Sequence, residues 1–179
     1  MFPSARNHSI DSDSRAIEAA LGYLDLGMAE DAEDEIVHLS PKLYRSKEIL
    51  RLRASIYSEA NWWGRLHEVA TLLVNKWPGD CDHWILLGCA SRRHQSIEES
   101  DAVFQEALIF HEFEPLIYFH LACNSAHSGD IRPAHHQLTN AMLLDPDIGL
   151  IALEDPDLAP LWLDMERQKI DPAQAPYPF

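Results

Sequence analysis

Glycine, cysteine and positive charge are all scarce in this chain, and each scarcity excludes something. The seven glycines among 179 residues form no P-loop, no dinucleotide-binding glycine motif and no G-x-S-x-G elbow, so the usual phosphate cradles and serine-hydrolase turns are absent. The cysteines are Cys81, Cys89 and Cys123. An odd, sparse set implies no disulfide framework and fits a reducing cytoplasm. No stretch reaches the roughly 18 apolar residues of a membrane span. The opening residues carry no apolar run of signal-peptide length. Lys and Arg number 14 against 29 Asp and Glu, for a net charge of −15, and no basic run exceeds two residues. Nucleic acid and anionic membrane surfaces are therefore disfavoured as partners. The expectation is a cytoplasmic protein with no cofactor.

What the chain does have is apolar content of 46%, enough for a packed core, and a repeat. Trp84, Leu87 and Gly88 lead to Phe104 and Ala107. The same pattern recurs 34 residues later at Tyr118, Leu121, Ala122, Leu138 and Ala141. It recurs 34 earlier at Leu50, Arg53, Ala54, Tyr57, Ala70 and Leu73, and once more at Ala16, Ala20, Tyr23 and Ile36. A fixed period of this length marks a helical solenoid, in which each unit buries its apolar face against its neighbours. The expected order is a flexible polar stretch at 1–12, then four helix pairs at 13–46, 47–80, 81–114 and 115–146. Capping helices follow at 147–170, with a Pro-rich extended tail at 171–179. Gly27 and Gly129 share one register position and suit a left-handed helix end; Asn61 and Gln95 hold it in between, Gln less comfortably. Small residues recur where paired helices must touch: Ala20, Ala54, Gly88 and Ala122 in one column, Ala32, Ser100 and Ala134 in another, with Leu66 interrupting the second. Leu158, Leu161, Trp162 and Met165 give the last helix one apolar face, which is expected to cover the open end of the array. Asp157 is the expected cap of that helix. Acidity concentrates at the two ends, with nine carboxylates between residues 11 and 35 and eight between 145 and 171. Its plain reading is a solvated surface; its sharper one is attraction of a basic or amphipathic partner.

The W-x2-L-G pattern at Trp84, the pair Ser100 and Phe104, and Pro78 and Pro146 at repeat ends resemble the tetratricopeptide repeat over about 13–146. Residues 152–161 look like the tail of small bacterial proteins of that family. Unit two departs by placing Arg53 where a Leu is usual, and units one and three lack the closing Pro, with Tyr44 and Glu112 in its place. The resemblance implies an all-α, right-handed superhelix that is rarely catalytic and whose first helices line a concave groove for a peptide or partner protein. The groove positions it implies are Ile17, Leu21 and Leu24; Arg51 and Ser55; Ile85, Cys89 and Arg92; and Leu116, Phe119, Cys123 and His127. This largely apolar list suits an amphipathic helix or extended apolar peptide, so the expected function is a non-catalytic adaptor. The alternatives are a groove filled by the chain's own termini, a homo-oligomer whose second copy fills it, and a chaperone resembling those of type III secretion, on the likeness of residues 119–130. The Lys/Asn/Arg clamp by which some relatives hold acidic C-termini is nearly absent: of the matching positions, which include Leu86, Leu116 and His120, only Arg51 fits.

Metal and enzyme readings have little behind them. His120, Cys123 and His127 share one helix face, and Cys89 lies one repeat earlier. Four such ligands could bind zinc if they converged, but no C-x2-C or H-E-x2-H spacing accompanies them. A buried thiol with two surface histidines is the plainer reading, and no metal site is assigned. His135 and His136 point about 100° apart on a helix and cannot easily share a metal. Trp62 and Trp63 at a turn are expected to pack between units before they serve as a binding hot spot.

Overall fold

The computed structural model describes residues 5–167, with side chains from residue 12 onward. The described residues form two compact units, one ending at Trp77 and the other beginning at Pro78. Among them are 11 α-helices, one 3-10 turn and no strand.

The first unit pairs α1 (Ala5–Asp25) with α2 (Ala29–Ile36) and α4 (Lys47–Glu59) with α5 (Trp63–Lys76), α4 also lying against α1 and α2. Helix α1 begins eight residues before the expected boundary at 13, since no Pro or Gly interrupts the chain between residues 4 and 21. Helix α1 thus starts within the stretch expected at 1–12, and residues 1–4 lie outside the described ones. Helix α2 stops at Ile36. A one-turn helix not anticipated from sequence, α3 (Pro41–Tyr44), follows with Pro41 in its first turn; Ser40 is extended (ψ 142°), as a residue before proline prefers.

The second unit pairs α6 (Cys81–His94) with α7 (Ile97–Phe110) and α8 (Pro115–His127) with α9 (Ile131–Leu144), α7 also packing on α8. The 34-residue register therefore corresponds to consecutive helix pairs. Both small-residue columns are buried, and at Gly88 the reason is plain: a Cβ there would lie 2.2 Å from the Phe104 ring. Leu66 is buried too, and α4 and α5 pack least closely of the four pairs. Gly27, Asn61 and Gly129 have φ of 71°, 56° and 83°, whereas Gln95 avoids the left-handed region at φ −119°. Trp84 is buried; its Nε1 donates to the Pro78 carbonyl at 2.8 Å, and its ring stacks on Phe110.

After α9 come α10 (Ile148–Glu154), a 3-10 turn (Pro156–Leu158) and α11 (Ala159–Arg167). The turn packs on α8, and α10 and α11 pack on both α8 and α9. Ile148, Ala152, Leu158 and Leu161 join Phe119, Ala122, Cys123, Ala126 and Leu138 in one core, with Trp162 against its edge. Asp155 caps the 3-10 turn, its Oδ1 accepting from the Asp157 amide at 2.8 Å, and Asp157, expected to cap the last helix, lies within that turn. The tail expected at 171–179 lies outside the described residues.

Candidate functional site

In the second unit the C-terminal segment lies over the α8 groove residues Phe119 and Cys123 and reaches Arg92 on α6. Phe119 and Cys123, expected to face a partner, are only 5% and 2% exposed, sealed in the core that holds Leu158 and Leu161. Leu116 packs against its edge. Ile85, Cys89 and Arg92 on α6 are half-buried, and His127 is exposed. In the first unit, Ile17 and Leu24 are half-buried on α1, while Leu21, Arg51 and Ser55 are exposed; Ser55 Oγ donates to the Arg51 carbonyl.

Arg92 and His127 hold the covering turn. Arg92 Nη1 meets Asp157 Oδ2 at 2.6 Å, and His127 Nδ1 lies 3.5 Å from Asp157 Oδ1. Partial burial alone would raise the Asp157 carboxyl, but the Arg92 hydrogen bond and charge, helped by His127, hold it below the usual range. The turn therefore presents two groups to the α6–α8 face, a carboxylate to Arg92 and a leucine to the apolar floor.

Beneath it, the His120 ring lies flat on Phe104 at 5.3 Å and edge-on to Phe119 at 5.5 Å. Burial dominates its titration and lowers it to about 4, against the opposing pull of Asp155 and Asp157. The imidazole is neutral at physiological pH, with Nε2 3.9 Å from Cys89 Sγ. Burial pushes the Cys89 thiol up to about 11, although Arg92 and Arg93 pull the other way. Burial raises Cys123 further, reinforced by Asp155 and Asp157. Both sulfurs are thus protonated thiols and poor nucleophiles at physiological pH. Among the described residues no group of three or more His, Cys, Asp or Glu is placed to hold a metal ion.

Three features lie outside the expected groove positions. Ser100 Oγ donates to the Gly88 carbonyl at 2.9 Å and accepts from Asn124 Nδ2 at 3.0 Å, and the same amide donates to Asp101 at 2.8 Å. This buried chain ties α6, α7 and α8 together; the position of Ser100 in a column of alanines was its one signal. Ile109 and Leu143, 34 residues apart, are 78% and 76% exposed, so the register also repeats an apolar side chain in water. The Trp62 ring lies tilted 45° to Tyr57 at 5.9 Å, with the Arg65 guanidinium 4.7 Å from its centroid. No described helix is long and apolar enough to cross a membrane. Comparison with protein-family models and with curated proteins found no significant match.

Proposed function

We propose that the chain is a non-catalytic scaffold of the tetratricopeptide type, binding a short peptide or an amphipathic helix of a protein partner on the face shared by α6 and α8. The observation that supports this reading is that a short segment of the chain itself packs on this face. A short turn inserts Leu158 among Phe119, Ala122 and Cys123 and sets Asp157 on Arg92. Helix-in-groove recognition uses these elements, apolar anchors in a groove and a charge at its rim. The protonated, buried thiols and neutral His120 support a role in packing over one in catalysis. A strongly acidic chain is a poor match for nucleic acid.

Site-directed photocrosslinking in the native cell tests this. A benzoylphenylalanine at position 85 or 116 is expected to yield one discrete protein adduct that is missing when the label sits at exposed position 105 on α7. No adduct from 85 and 116, or the same adduct from 105, overturns it. A second reading, self-association, is favoured by Leu150, Ile151 and Leu153, all exposed on α10. In that case the adduct is a second copy of the chain, and light scattering reports a mass that rises with concentration.

A further inference from the structure

Arg53 departs from its repeat pattern, and nothing at the α6–α8 face explains it. In the first unit its guanidinium lies 4.2 Å over the Tyr44 ring. Nε and Nη2 both donate to Tyr57 Oη, at 3.2 and 3.1 Å, and that hydroxyl donates to Glu33 Oε1 at 2.7 Å. The guanidinium plane is thus fixed by an aromatic face and a two-pronged hydrogen bond. A guanidinium has five N–H donors; Tyr57 takes two, leaving three.

Beside it is a cavity of about 470 Å³ lined by Tyr44, Arg45, Leu50, Arg53, Leu72 and Lys76. Half of its lining residues are cationic and none is acidic, in a chain where acids outnumber bases 29 to 14. Three like charges around one concavity repel unless an anion joins them. The rest of the wall is apolar: Leu50 is buried and Leu72 is 45% exposed. The size suits a single ring or one amino acid.

We propose that this cavity is a binding site for an organic oxyanion, a carboxylate or phosphate carried on an apolar or aromatic body. Arg53, pre-oriented by Tyr44 and Tyr57, would take the anion through its remaining donors, since guanidinium matches carboxylate and phosphate geometry. Arg45 and Lys76 add charge, and Leu50, Leu72 and the Tyr44 ring receive the apolar body. The site belongs wholly to the first unit, so it stands or falls independently of the α6–α8 face. The shared chemistry has two sources, the terminal residue of a peptide chain or a small phosphorylated molecule.

The test is a titration of the full chain at low salt, read by amide chemical shifts, with N-acetyl-leucine, its amide, phenyl phosphate and phenol. At least one anion is expected to bind and to shift residues 44–53 and 72–76, while its neutral counterpart does not, and the binding weakens as salt is raised. Preference for N-acetyl-leucine identifies a peptide terminus, and preference for phenyl phosphate a phosphorylated small molecule. Arg53→Leu, which restores the residue usual in the repeat, is expected to weaken binding at least ten-fold. Arg45→Gln, at an exposed position, tests the charge without touching the packing, and a loss of several-fold is expected. Anions that bind no better than their neutral counterparts, or an affinity unchanged in Arg45→Gln and in folded Arg53→Leu, overturn the proposal.

Discussion

Replacing Leu158 with Ala removes the leucine that the covering turn inserts into the second unit's core. The side chain is fully buried beside Phe119, Cys123 and Leu161. Truncations of this kind cost about 2–5 kcal/mol, depending on how far the site collapses. The turn is short and bounded by Asp155, so it can relax; about 3 kcal/mol is the expected cost. Against a total of about 5–15 kcal/mol, and with a melting shift of about 2–4 °C per kcal/mol at this size, the melting temperature should fall by about 6–12 °C. The same loss makes opening of the turn easier. At about 1.4 kcal/mol per factor of ten, an opening that becomes 3 kcal/mol cheaper is populated about 100-fold more. Cys123 reports it directly, because its thiol is buried under the turn. With Cys81 and Cys89 changed to Ser in both proteins, the rate at which a disulfide reagent modifies Cys123 should rise by that factor. A lower melting temperature with an unchanged thiol rate would refute the reasoning, since Leu158 would then stabilise the unit without covering the face.

Gly88→Ala should destabilise despite the better helix propensity of alanine. The new Cβ meets a Phe104 ring that is buried and pinned by His120, so an overpacking cost near the top of about 1–3 kcal/mol outweighs a gain of about 1 kcal/mol. Calorimetry should find a net loss near 2 kcal/mol that Phe104→Leu partly restores in the double variant. Arg92→Gln should cost about 1 kcal/mol in denaturant midpoint, a charge-assisted bond discounted for the pair's partial exposure. Because the folded Asp157 carboxyl is lowered, its contribution is present above about pH 4 and lost as pH falls through the folded value, so the variant should lose less on acidification there than the parent. His120 acts at higher pH. Its folded value, lowered to about 4, lies below the unfolded value of about 6.5, so the unfolded chain takes up the proton first. Stability should fall from about pH 6.5 toward pH 4, by up to about 3 kcal/mol; His120→Phe should flatten that slope, and a parent profile flat over this range would refute it.

The helix pairs were legible because the 34-residue register is local information. Apolar spacing, Gly27, Gly129 and the Gly88 column each state a constraint within one or two helices. Helix α3 spans a single turn (Pro41–Tyr44), too short for an apolar period to mark it in the sequence. The fate of Phe119 and Cys123 was half-legible: periodicity says that a residue is apolar, not what covers it. The cover depends on Arg92 meeting Asp157 65 residues away, a pairing that no spacing encodes. Arg53 was visible as an anomaly, but its convergence with Arg45 and Lys76 required the path of α3 and α5.

The covering turn also sets an order in time. Cys123 and Leu158 are 35 residues apart (158 − 123), and synthesis proceeds at about 5–20 residues per second. For about 2–7 s of synthesis, Cys123 has been added to the chain and the turn that will cover it has not. A partner of the proposed kind would meet no rival for that face on the nascent chain, whereas one arriving later would have to displace a segment already packed there. On that reading, access to the face is graded by the age of the molecule.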